Sequence, residues 1–107
     1  MNVVSNIHNM LNFIETKSEF KEGLNNLMEK YNVEDSIFSY NNGIVNEVCR
    51  GYFVENTEYN SLDEAISNMN NLNQCIRIIN NEKFVLGDVH TTLNENITKF
   101  YDISAVC

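Results

Sequence analysis

Ser36-Ile37-Phe38-Ser39-Tyr40, then Asn41-Asn42-Gly43, then the run from Ile44 to Val54, is the stretch from which the rest of the chain can be read. Two segments rich in β-branched and aromatic residues flank an Asn-Gly step, and Asn-Gly supplies the positive φ angles of a tight hairpin turn. The reading is an antiparallel hairpin whose second strand carries Val45, Val48, Tyr52, Phe53 and Val54. Gly51 interrupts that strand, as a bulge or as a point where another backbone comes close.

Upstream, Val3, Ile7, Met10, Leu11 and Ile14 recur at the three-four spacing of a helix with one buried stripe, leaving His8 and the asparagines on other faces. Thr16 followed by Glu19 has capping-box spacing, so a second helix is expected to begin there. Phe20, Leu24, Leu27, Met28 and Tyr31 form its core face, and it ends near Asn32. Downstream, Glu55 to Asn60 reads as a polar connection, and Ser61 with Glu64 introduces a helix on Leu62, Ala65, Ile66, Met69 and Leu72. Cys75 to Ile79 and Lys83 to Val89 flank Asn80-Asn81-Glu82 as a second hairpin. Thr92 with Glu95 repeats the capping pattern before a closing helix on Leu93, Ile97, Phe100, Tyr101 and Ile103.

The order α-α-β-β-α-β-β-α predicts a single α+β domain over 1–107, with a four-stranded antiparallel sheet built from two hairpins and helices packed on one face. Glu22-Gly23-Leu24-Asn25-Asn26-Leu27 parallels Glu64-Ala65-Ile66-Ser67-Asn68-Met69, so a helix-hairpin unit used twice, over 18–54 and 61–90, is an alternative description. At 107 residues and 43% hydrophobic, the chain can bury about two-thirds of its unfolded surface around one core. Its apolar runs are too short to span a bilayer, and its first residues lack a basic region followed by an apolar stretch, so a cytoplasmic protein is expected. Cys49, Cys75 and Cys107 are odd in number and widely spaced, which fits reduced thiols; Cys49 and Cys75 would pair only under oxidation, on neighbouring strands.

Catalytic signals are thin. His8 and His90 are the only imidazoles, and Asp88-Val89-His90 offers one carboxylate that could orient a ring, without a third ligand or an activated nucleophile. A site from Cys49, Cys75 and His90 lacks ligand spacing, and four scattered glycines make no phosphate cradle. No catalytic residue, metal or cofactor is assigned.

Charge is more informative. About twenty asparagines accompany only 7 Lys+Arg against 15 Asp+Glu, although Asn and Lys codons both begin AA and should drift together. The net charge of -8 therefore reads as a surface property suited to basic partners and opposed to direct nucleic-acid binding. Spread over a domain of this length it approaches about one charge per 4 Å, against about one per 3.4 Å along a nucleic-acid strand, so a nucleic-acid mimic is conceivable if the carboxylates face one way. Between Lys30 and Arg77 the only cation is Arg50, against Glu34, Asp35, Glu47, Glu55, Glu58, Asp63 and Glu64. These carboxylates, with Tyr59 as an aromatic anchor, form the candidate partner-binding set, on the expectation that the first hairpin and the start of the third helix share an edge.

Short, acidic and without motifs, the chain is similar in kind to phage-borne inhibitors of bacterial defence, the anti-CRISPR and anti-restriction proteins. That resemblance implies an inhibitor occluding a basic, nucleic-acid-binding or regulatory surface of a protein or ribonucleoprotein in the host cytoplasm. The alternatives are an immunity protein neutralising a basic nuclease toxin, and a small enzyme or ligand-sequestering protein with a pocket between sheet and helices. A homodimer is compatible with all three, and none involves a membrane.

Overall fold

The structure, a computed structural model, describes residues 3–92 and 100–105. The chain opens with helix α1 (Val3–Lys30) and the hairpin strands β1 (Asp35–Asn41) and β2 (Ile44–Glu47). Strand β3 (Tyr52–Tyr59), helix α2 (Leu62–Ser67) and the hairpin strands β4 (Cys75–Ile79) and β5 (Lys83–His90) follow. Last among the described residues come the short strand β6 (Tyr101–Asp102) and a single 3-10 turn, Ile103–Ala105. Among the described residues all pairings are antiparallel, and six strands, not the expected four from two hairpins, run in the order β2-β1-β4-β5-β3-β6, with one helix rather than two before the first hairpin.

Both hairpins form where the turn chemistry places them. Asn42 and Gly43 lie at φ 53° and 76°, and Asn41 pairs with Ile44 across the two-residue turn. Asn80 and Asn81 adopt φ 52° and 55°, where asparagine tolerates the left-handed region better than branched residues do. Asn81 also bridges layers: its amide donates to the Met28 and Tyr31 carbonyls, and its Oδ1 accepts from the Val33 N–H at 2.8 Å. The second turn is thereby fastened to the end of α1.

Four expectations are corrected. The two N-terminal helices are one: Thr16 sits inside α1, because neither glycine nor proline separates the two apolar stripes, and a capping pattern without a break leaves the backbone helical. The run Ile44 to Val54 is two strands, β2 ending at Glu47 and β3 starting at Tyr52. Between them Gly51 takes φ 109°, and a Cβ there would lie 2.5 Å from the His90 carbonyl oxygen, so the glycine marks a sharp bend and a close backbone approach. Glu55 to Asn60 is largely strand, with the register slipping between Glu55 and Thr57 as a bulge. Tyr101 and Asp102 pair with β3 and so belong to the sheet; Leu93, Glu95 and Ile97 of the expected closing helix lie outside the described residues.

The sheet is buried on both faces. On one, Phe20 and Leu24 of α1 and Leu62, Ala65, Ile66 and Met69 around α2 pack on Phe38, Ile76, Ile78, Phe84 and Leu86. On the other, Ile37, Phe53, Cys75 and Val85 pack with Ile103, and Val48, Val89 and Tyr101 close around them. The α2 cap is real: Ser61 Oγ accepts from the Glu64 N–H at 3.1 Å. Helix α2 stops at Asn68, however, and Leu72, expected in its core face, is exposed. The N-terminal stripe is corrected too: Met10, Leu11 and Ile14, expected to be buried, are each more than half exposed.

Cysteine chemistry also differs from expectation. Cys49 is held in a disulfide, while Cys75 is a free, buried thiol on β4; Cys107 lies outside the described residues. Among the described residues no helix is long and apolar enough to cross a membrane.

Candidate functional site

Strand pairing decides where each acidic residue goes. Asp35 begins β1 and Arg77 is central in β4, both on the sheet face away from the helices, and Glu55 reaches the same spot from β3. Arg77 donates to Asp35 through a two-pronged contact, Nε to Oδ1 and Nη2 to Oδ2, both 2.9 Å, and its Nη1 donates to Glu55. Its guanidinium lies 3.9 Å from the centre of the Tyr101 ring, and the Tyr101 hydroxyl donates to Asp35. The Arg77 hydrogen bond pulls the Asp35 carboxyl below its ordinary pKa against the opposing effect of burial, and the Asp35 hydrogen bond raises Arg77 in turn. Two of the candidate carboxylates are thus consumed by the fold.

Others are partly answered. Asp63 lies 2.7 Å from Lys21, and Glu58 lies 3.8 Å from Lys83 with both side chains more than half exposed, so that pair adds little. Glu64 is exposed in the first turn of α2, and Tyr59 is half-buried against the helix-side core. Glu34 and Glu47 are exposed beside one another at the β1–β2 end, where Glu47 accepts from the Ser36 hydroxyl. The set therefore falls in three places, and the shared edge expected between first hairpin and third helix does not exist: β2 is an outer strand, while α2 packs over β3 and β5.

A different acidic surface emerges on α1. Glu15, Glu19, Glu22 and Glu29 are all exposed, and at 3.6 residues per turn they occupy a sector of about 80° over about 21 Å of helix. Two of the helix's three lysines point elsewhere: Lys17 donates to the Ser67 and Met69 carbonyls at the end of α2, and Lys21 pairs with Asp63, while Lys30, exposed in the last turn, lies about 20° outside the sector. Tyr40 of β1 donates to Glu19 at 3.0 Å; desolvation, then that bond and the charges of Glu19 and Glu22, raise its phenol pKa. The spacing 15, 19, 22, 29 was readable in the sequence, but weight given to the cation-poor middle of the chain hid it.

Where α1 ends, an open groove of about 440 Å³ lies between helix and sheet, with Leu27, Val33 and Phe38 as its apolar floor and Glu34 and Glu47 at its rim. Tyr31 lines it and is 63% exposed, an aromatic ring held in water among carboxylates. Elsewhere, His90 is exposed, Asp88 accepts from Asn56, and among the described residues no three metal-binding side chains converge. The His8 side chain lies outside what is described.

No family model, curated protein or solved structure matches this chain.

Proposed function

We propose that this chain is a binding protein that docks a basic surface of a larger partner against the outer face of α1 and the groove at its end. The observation that carries the reading is the groove itself: exposed Tyr31 over an apolar floor, with Glu34 and Glu47 at the rim. An arginine or lysine side chain fits such a place, its aliphatic stem on Leu27 and Val33, its cation beside the Tyr31 ring and the carboxylates. The Glu15, Glu19, Glu22 and Glu29 stripe lies on a different sector of the same helix from Leu27 and Tyr31, and would draw a positive surface toward α1 at high rate. Occlusion of a nucleic-acid-binding or regulatory surface follows from that complementarity, and cytoplasmic inhibition of a defence complex, in the anti-CRISPR or anti-restriction manner, is its specific form. Neutralisation of a basic nuclease toxin would use the same surface and differs only in the partner.

The test starts with capture from the native host's lysate at low salt, release by a salt step, and a measurement of the partner's nucleic-acid binding with and without this chain. Loss of that binding is expected, together with at least a tenfold fall in affinity for Tyr31→Ala and for Glu34→Lys with Glu47→Lys. A complex indifferent to salt and to these substitutions would overturn the proposal, as would a captured partner that still binds nucleic acid normally.

A further inference from the structure

We infer that the N-terminal part of α1 pairs antiparallel with the same segment of a second copy of this chain, as a short two-helix coiled coil. Met10, Leu11 and Ile14 are 62%, 59% and 56% exposed, whereas Phe20 and Leu24, further along the same helix, are fully buried. The apolar surface thus continues past the end of the domain's own core. Positions 3, 7, 10 and 14, occupied by Val3, Ile7, Met10 and Ile14, follow the four-three-four spacing of a coiled-coil seam.

Charge selects the occupant. Residues 3–14 contain no Asp, Glu, Lys or Arg, in a chain of net charge -8. A basic partner would be drawn to the carboxylates beyond Ile14 and would find nothing in this segment to hold it. Two copies of an anionic chain, by contrast, can approach closely only where neither carries charge. Direction follows from the helix dipole. With position 3 against position 14 and position 7 against position 10, the start of α1, whose first turn holds no acidic residue, comes beside Glu15 of the other copy. The positive helix end and the carboxylate meet twice, once on each side of the two-fold axis. The seam is about 18 Å long, at the small end of specific interfaces, so association in the micromolar range is expected.

Sedimentation velocity of the full chain, from low micromolar to several hundred micromolar, reads the equilibrium directly. The dimer fraction should rise with protein concentration and also with salt, which screens the repulsion of the two anionic bodies. That sign is opposite to the partner binding proposed above, so the two readings fail separately. Ile14→Glu should weaken the dimer at least tenfold while leaving the far-UV spectrum and melting temperature in place, because the side chain is already exposed. Glu15→Lys should weaken it several-fold by setting a cation against the partner's helix start. A chain that stays monomeric at the highest concentration in high salt overturns the inference. So does a dimer that survives Ile14→Glu, or an Ile14→Glu variant that loses a bound protein of another kind and not a second copy. A dimer insensitive to Glu15→Lys overturns the antiparallel arrangement.

Discussion

Arg77 shows how one side chain commits two others. It is the cation for both Asp35 and Glu55 in a half-enclosed setting, where removing one member of an ion cluster leaves like charges facing each other. Arg77→Ala should therefore cost on the order of 3 kcal/mol in chemical denaturation. Arg77→Lys, which keeps the charge but loses the two-pronged contact and the stacking on Tyr101, should cost less. The pH dependence has a definite sign. The folded pKa of Asp35 lies below its unfolded value of about 3.9, so its stabilisation is complete above that value and is lost as pH falls through the lower folded pKa. Melting temperatures followed downward from pH 5 should show this loss in the natural chain and a smaller one in Arg77→Ala. Cys75 gives a second residue-scale expectation: burial, and secondarily Asp88, push its thiol up to about 11, so it is protonated and shielded. A thiol reagent should leave Cys75 unmodified in the folded protein and react at once after denaturation, as peptide mass mapping would show.

At the scale of elements, the bend at Gly51 decides whether β3 can leave β2 and cross to the far side of the sheet. Gly51→Ala meets both a positive φ and the His90 backbone, and a loss of about 1–3 kcal/mol by urea unfolding is expected. This bend also shows what could and could not be read beforehand. Asn42-Gly43 and Asn80-Asn81 announce their turns through local backbone chemistry, and Ser61 announces α2 through its hydroxyl, so these elements were legible residue by residue. Whether Ile44 to Val54 was one strand or two depended on the partner of Tyr52 and Phe53, and that partner is β5, thirty-odd residues away. Pairing of Tyr101 with Phe53 was equally invisible, since a two-residue strand has no period of its own. Of the candidate set, Glu34 and Glu47 remain at the proposed surface, because both sit at an outer hairpin. Strand register, absent from local pattern, brings Asp35 and Glu55 to Arg77 instead of to that surface.

Across the whole molecule, the carboxylates of α1 and the hairpin end outnumber the cations near them, and a net charge of -8 presses against compactness. Raising salt from millimolar to several hundred millimolar should raise the melting temperature by a few degrees, since the screening length shrinks below the spacing of the α1 glutamates. A fall would mean that ion pairs such as Lys21 with Asp63 outweigh the repulsion.

The hairpin of β4 and β5 lies in the middle of the sheet, roofed by one cluster and floored by another, while β2 and β6 hold the rims. Ile76, Ile78 and Leu86 consequently have amide hydrogens that water can reach only when the entire domain opens. In heavy water those positions should keep their protons longest, at a rate that reports global unfolding, whereas Ile44 to Glu47 should trade theirs orders of magnitude sooner through fraying.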